Sequence, residues 1–142
     1  MVEYTDELTG ITAAHLQGFF AGWPNPPSPH THLALLRRST YAVVAREGPD
    51  GPIVGYVTAI TDGILSAYVP LLEVLPSHQG QGIGRALMRR MLTLLSEYYM
   101  VDLLCDPDVQ PFYARLGLSP ATGMMRRAYD RQAGRIVPGN SA

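Results

Sequence analysis

The sequence predicts an α+β domain: a mixed, mostly antiparallel twisted sheet with helices on both faces. Three observations carry this prediction. β-Rich runs at residues 41–46, 53–60 and 65–74 follow one another with turn-forming residues between them, the pattern of an antiparallel meander. A glycine-rich loop and an amphipathic helix over residues 85–98 then lead to an apolar stretch at 100–105. That strand–helix–strand order is expected to close as a right-handed unit with a parallel pair. Since the meander comes first and the crossover second, the sheet is mixed rather than wholly parallel.

The elements are justified in order. Residues 2–4 read as a short first strand, and residues 11–20 as a helix with Leu16, Phe19 and Phe20 on one side. Gly22-Trp23-Pro24-Asn25-Pro26-Pro27-Ser28-Pro29 follows. Prolines fix φ and remove N–H donors, so this is a stiff loop carrying one large aromatic. Ser28 suits an N-cap and Pro29 the first helical position, which starts a helix over 30–38 with Arg37 and Arg38 exposed. Gly48-Pro49-Asp50-Gly51-Pro52 turns a hairpin between runs 41–46 and 53–60. Asp62-Gly63 turns the chain again into 65–74. Leu87, Met91, Leu94, Leu95 and Tyr98 recur at helical spacing. Residues 108–116 read as a helix ended by Gly117, the usual residue just past a helix. Residues 124–129 read as a last strand, and 131–142 as a frayed tail.

Composition bounds the function. A chain of 142 residues is one domain by the ordinary prior, here 1–142. Net charge is −1, which gives no electrostatic reason to expect nucleic acid or an anionic membrane as partner. The lone Cys105 excludes an internal disulfide and fits a reducing compartment. No signal peptide and no bilayer-length apolar run is visible, so a soluble cytoplasmic protein is expected.

The most informative stretch is Val74-Leu75-Pro76-Ser77-His78-Gln79-Gly80-Gln81-Gly82-Ile83-Gly84-Arg85. It joins a strand to a helix through three glycines at alternate positions. Glycine lets a ligand approach the backbone closely. A helix start adds unpaired N–H groups and the positive end of its dipole. Together these make an anion cradle. No lysine or hydroxyl residue follows Gly84, so the P-loop is excluded, and the glycine spacing is not that of a dinucleotide fold. Gln79, Gly82 and Gly84 instead meet the pattern Gln/Arg-x-x-Gly-x-Gly/Ala. Leu72-Glu73-Val74 before Pro76 and Phe112-Tyr113-x-x-Leu116-Gly117-Leu118 accompany it.

On these motifs the chain resembles the GNAT superfamily of N-acetyltransferases. The similarity runs from about residue 67 to 118 and is loose before that. It implies that residues 67–118 are the acetyl-CoA-binding core and 1–66 the variable, acceptor-binding part. It also implies that the strands at 65–74 and 100–105 splay apart to admit the pantetheine arm. The cofactor contacts carried over are Leu72, Glu73, Val74, Gln79, Gly80, Gln81, Gly82, Ile83, Gly84 and Arg85. Asp106 falls where many members have asparagine in contact with CoA.

Acetyl transfer to an amine needs a proton removed from the amine and one supplied to the departing thiolate. Tyr113 matches the family's tyrosine near the thioester sulfur and is the candidate acid; the bland alternative is a core aromatic. Glu73, a carboxylate inside an apolar strand, is the candidate base. Its alternative is simple alternation of faces, with Glu73 in solvent. Asp106 and Glu73 on neighbouring strand ends could hold a cationic acceptor, or Asp106 could be a helix N-cap. Cys105 lacks a histidine partner and reads as a small buried residue. His30 and His32 lack a third ligand, so no metal is expected; they read as surface residues on the acceptor segment. His78 reads as solvent-facing. In the family, acceptor specificity comes from the segment matching 19–36, which here places Trp23 and His30 at the substrate.

The expected function is therefore transfer of an acetyl group from acetyl-CoA to a primary amine by direct attack, with a homodimer allowed. Two rivals stand beside it: an acyl-CoA-binding sensor without turnover, and an anion-binding scaffold without CoA.

Overall fold

A computed structural model of the chain describes residues 1–138. Strands β1 (Val2–Thr5), β2 (Tyr41–Glu47) and β3 (Ile53–Thr61) pair antiparallel in sequence order. β3 then pairs with both β4 (Ser66–Tyr68) and β5 (Leu72–Val74). β6 (Met100–Asp102) lies parallel to β4, with Ser66 opposite Met100 and Tyr68 opposite Asp102. Among the described residues the six strands form one mixed sheet with a single parallel pair.

Helix α2 (Ile83–Leu94) covers one face. Leu87, Met88 and Met91 are fully buried there against Val43, Val57 and Ala59. Helix α1 (Pro29–Arg38) and the chain before it cover the other, where Ile11, Leu16 and Leu36 meet Val44 and Tyr56. Ser28 caps α1 by accepting the Thr31 N–H at 3.1 Å, with Pro29 in first place as expected. Asp62 accepts the N–H groups of Ile64, Leu65 and Ser66 at 2.8–3.2 Å. These bonds hold its carboxyl down to about pKa 2 and lock the turn before β4.

Several expected elements differ. Residues 11–20 hold only a 3-10 turn, Ala13–His15. Gly18 takes φ +86°, which ends any helix there. The run at 65–74 splits into β4 and β5 around Val69-Pro70-Leu71, since proline has no N–H for the ladder. Helix α2 ends four residues early, and residues 107–116 form a 3-10 turn followed by a short helix, α3 (Gln110–Ala114). Gly117, at φ +96°, closes α3. Its N–H meets Ala114 C=O, and the Leu118 N–H meets Tyr113 C=O, which is a Schellman end. Residues 124–128 form no strand. The stretch 131–137 is not free: the Asn25 N–H donates to Gln132 Oε1 at 2.9 Å, and Arg38 donates to Val137 C=O at 3.0 Å. The last four residues of the expected tail lie outside the described residues.

Candidate active site

The parallel pair sets the site. β4 and β6 stay together to the bond from Val69 N–H to Asp102 C=O, 2.9 Å long. Beyond it, β5 pairs only with β3, while residues 103–105 pair with no strand. The chain thus parts between Leu72-Glu73-Val74 and Leu103-Leu104-Cys105. Pro70 is the local cause on one side.

The glycine loop stands at the end of β5. Gln79 donates from Nε2 to Val74 C=O at 3.0 Å, tying the loop to the strand. Gly80 and Gly82 take φ +80° and +82°, and Gly82 is the N-cap of α2. A Cβ built at either meets nothing within 4 Å, so their missing side chains leave open space above the backbone. The bond from Ala86 N–H to Gly82 C=O spans the first turn, which leaves the N–H groups of Ile83, Gly84 and Arg85 without helical partners. Gln81 and Arg85 are exposed. A Cβ at Gly84 would make ordinary contacts, 3.7 Å to Val74 and 3.8 Å to Phe112. The cradle therefore fits a phosphate group in both shape and polarity. His78 beside it is not solvent-facing as expected: its Nε2 pairs with Glu47 Oε1 at 3.1 Å.

Glu73 lies opposite Tyr56 on β3, and its neighbours Leu72 and Val74 pack toward α2. Alternation alone turns Glu73 to the α1 face. Its carboxylate is half-buried, and Oε1 and Oε2 accept the N–H groups of Phe20 and Ala21 at 2.9 and 3.1 Å. Phe20 is the one non-glycine residue at positive φ among those described, +60°. Such a conformation costs a bulky residue about 1–2 kcal/mol, and the Glu73 bond helps to hold it. Burial first, and the Glu73 charge second, raise the Tyr56 phenol well above its ordinary pKa. The Tyr56 hydroxyl nevertheless has no partner at hydrogen-bonding distance.

His32 is the clearest correction. It is buried, not on the surface, with its ring against Phe19, Phe20 and Tyr56 at centroid distances of 4.5–5.3 Å. Neither ring nitrogen has a partner, and burial lowers its pKa to about 4. Its spacing of four from Leu36 placed it on the buried stripe, a signal the sequence carried. His30 is exposed, and Trp23 is 39% exposed with its ring on Phe20. A cavity of about 240 Å³ lies in this segment, lined by Leu16, Phe19, Phe20, Pro27 and His32 among others.

Tyr113 sits on α3, edge to face with Phe112. Burial first, and the neighbouring Cys105 second, raise its pKa, so its phenol keeps its proton. Tyr113 and Cys105 line a cavity of about 940 Å³ that Glu73, Trp23 and His30 do not reach. Asp106 is exposed and occupies an N-cap position before Pro107, but its side chain caps nothing. The structure thus joins Glu73 to Phe20 and Ala21, and Tyr113 to Cys105, as two separate groups. Phe20, Ala21 and Tyr56 were not singled out from sequence; nothing local marks a phenylalanine for positive φ. Among the described residues no group of three His, Cys, Asp or Glu could hold a metal, and no helix is long and apolar enough to cross a membrane.

Comparison with known proteins bears on this arrangement. A solved structure of a Deinococcus radiodurans R1 protein, assigned as an acetyltransferase, is 51% identical. It covers 96% of this chain and 94% of its own, with a TM-score of 0.92. Serotonin N-acetyltransferase 2, chloroplastic, of Oryza sativa subsp. japonica is 30% identical over 116 residues, 78% of this chain and 58% of that protein. The uncharacterized N-acetyltransferase ycf52 of Pyropia yezoensis is 26% identical over 99 residues, 68% of this chain and 57% of that protein. The chain thus spans little more than half the length of these two relatives. A family model described as "Acetyltransferase (GNAT) domain" matches residues 37–118, which include β2 through α3 and the whole glycine loop. The chain belongs to the GNAT family of acetyltransferases.

Proposed function

We propose that this protein moves an acetyl group from acetyl-CoA to a primary amine by direct attack within a ternary complex. The observation that carries this is the loop from Gln79 to Arg85. Two left-handed glycines open space over unpartnered helix-start amides, beside two strands that part. Family membership supports the donor, and the named acceptor of the rice relative, serotonin, is an amine.

Acetyl-CoA would supply the activated acyl carbon and a thiolate leaving group. The amides of Ile83, Gly84 and Arg85 hold phosphate, with Arg85 free to add its side chain. Gln79, bonded to Val74, sets the loop against the end of β5. Leu72, Glu73 and Val74 form one wall of the parting and Asp106 follows the other. Tyr113 holds at Oη the proton that a departing thiolate takes up; its raised pKa keeps that proton in place at neutral pH. Glu73 is the base: its two oxygens accept two backbone N–H groups and retain lone pairs for an amine or a water. Trp23, His30 and the apolar cavity beside Phe20 shape the acceptor side. A cytoplasmic setting belongs to the same proposal.

Calorimetry with acetyl-CoA, followed by thiol release with a panel of primary amines, tests the reading. Micromolar binding and amine-dependent release are expected. Binding without release from any amine would leave the sensor reading in its place.

A further inference from the structure

The glycine loop has two side-chain tethers to the sheet. Of the side chains from Pro76 to Gly82, two are described with hydrogen bonds outside that stretch: Gln79, to Val74 C=O, and His78, to Glu47. The first holds the loop to β5, from which it leaves. The second reaches the end of β2, 31 residues back in the chain, and no step of the proposed chemistry uses it.

The direction of this bond follows from its partners. A carboxylate only accepts, so Nε2 of His78 carries a proton and donates to Glu47 Oε1 at 3.1 Å. Nδ1 faces the Ser77 hydroxyl at 2.8 Å. A hydroxyl gives a proton to a neutral ring or accepts one from a charged ring, so Ser77, His78 and Glu47 stay joined in either state of the imidazole.

Both ends of the tether are anchored. Glu47 is the last residue of β2; its N–H donates to Pro52 C=O at 3.1 Å, and Arg46 donates from Nε to Gly51 C=O at 2.8 Å, which closes the hairpin behind it. Glu47 Oε2 also lies 3.5 Å from the Met1 ammonium. On the loop side the His78 N–H donates to Leu75 C=O, and the Leu75 N–H to Val54 C=O, each at 2.9 Å. Past His78 come the left-handed Gly80 and Gly82. Glycine is the least restrained residue, so this is where the loop most needs holding from outside. The tether itself adds little to global stability, because its two side chains are 24% and 37% exposed and pairs this open to water are weak. What it fixes is the shape of the loop before a ligand arrives, and a pre-shaped site binds more tightly because less ordering is left to do.

We infer that His78 is a positioning residue for the acetyl donor: tied to Glu47, it holds the Gln79–Arg85 loop in the conformation that receives phosphate. The tether stands on the structure alone. Its consequence for acetyl-CoA rests on the function proposed above.

Calorimetry with acetyl-CoA and hydrogen exchange on the ligand-free protein test this together. His78→Ala should raise the acetyl-CoA Kd about tenfold and speed exchange at 79–85, with the melting temperature, and kcat at saturating donor, unchanged. His78→Gln should restore affinity and slow exchange, since its amide N–H can donate to the same oxygen of Glu47. Glu47→Ala separates positioning from charge. Removing a negative charge beside a phosphate site should tighten binding by Coulomb attraction alone; losing the tether should weaken it as His78→Ala does. The double variant should bind no more weakly than either single one, because both remove the same contact. Wild-type affinity and exchange in His78→Ala overturn the assignment. So do tighter binding in Glu47→Ala, no rescue by His78→Gln, or a drop in melting temperature that accounts for the lost affinity. A wild type that does not bind acetyl-CoA removes the donor reading instead, and exchange at 79–85 still decides whether His78 holds the loop.

Discussion

Acidification should destabilise this protein through His32, by an amount the structure sets. Its imidazole is buried under Phe19, Phe20 and Tyr56 with both nitrogens unpartnered, and burial lowers its pKa from 6.5 to about 4. The unfolded chain therefore takes up a proton near pH 6.5 that the folded chain refuses until about pH 4. Stability is full above pH 6.5, falls as pH drops through that window, and levels off below it. At about 1.4 kcal/mol per pH unit the whole window amounts to about 3 kcal/mol, of which about 2.5 kcal/mol is lost at pH 4.5. That is a large part of a typical domain's stability. Urea denaturation at pH 7.5 and 4.5 measures it, with His32→Leu as control. Leucine fills the site without a titrating group, and no hydrogen bond is lost because none was made. Carboxylates titrate equally in both proteins and cancel. The wild-type midpoint should fall further than the variant's, by on the order of 1 M urea. Parallel losses in the two proteins, or an NMR titration of His32 near pH 6.5 in the fold, would refute the reasoning.

Other outcomes follow from the same geometry. Gly82→Val puts a Cβ into the open space of the cradle at a left-handed φ. It should cost about 1–2 kcal/mol in stability and weaken acetyl-CoA binding, and unchanged affinity in calorimetry would remove the loop from the site. Tyr113→Phe removes the donor and keeps the ring; the rate should fall about 10²–10⁴-fold with acetyl-CoA affinity held, and a wild-type rate would count against Tyr113 as the acid. Glu73→Gln replaces one acceptor oxygen facing Phe20 or Ala21 with a donor, which should destabilise by about 1–3 kcal/mol in a melt. If Glu73 is the base, kcat falls with acetyl-CoA affinity held; a rise in the acceptor KM alone would make it an anchor of the acceptor segment.

Elements set by neighbouring residues could be read directly. Ser28 and Pro29 start α1, Gly117 ends α3, and the periodicity from Leu87 to Met91 makes α2, because caps and helical faces act within one or two turns. The glycine loop was legible for the same reason: an anion cradle is built from consecutive amides. The site's other half was not local. Glu73 could be seen to be unusual, but its partners are the amides of Phe20 and Ala21, 53 and 52 residues away. Only β5 pairing with β3 turns its carboxylate toward them. The positive φ of Phe20 has no signature in phenylalanine; it exists because a distant carboxylate and aromatic packing hold it. His32 showed its helical position, while the rings that bury it come from the N-terminal segment and β3. Residues 124–129 have the composition of a strand and form none, since a strand consists of hydrogen bonds to a second chain segment, and no run of residues contains its own partner.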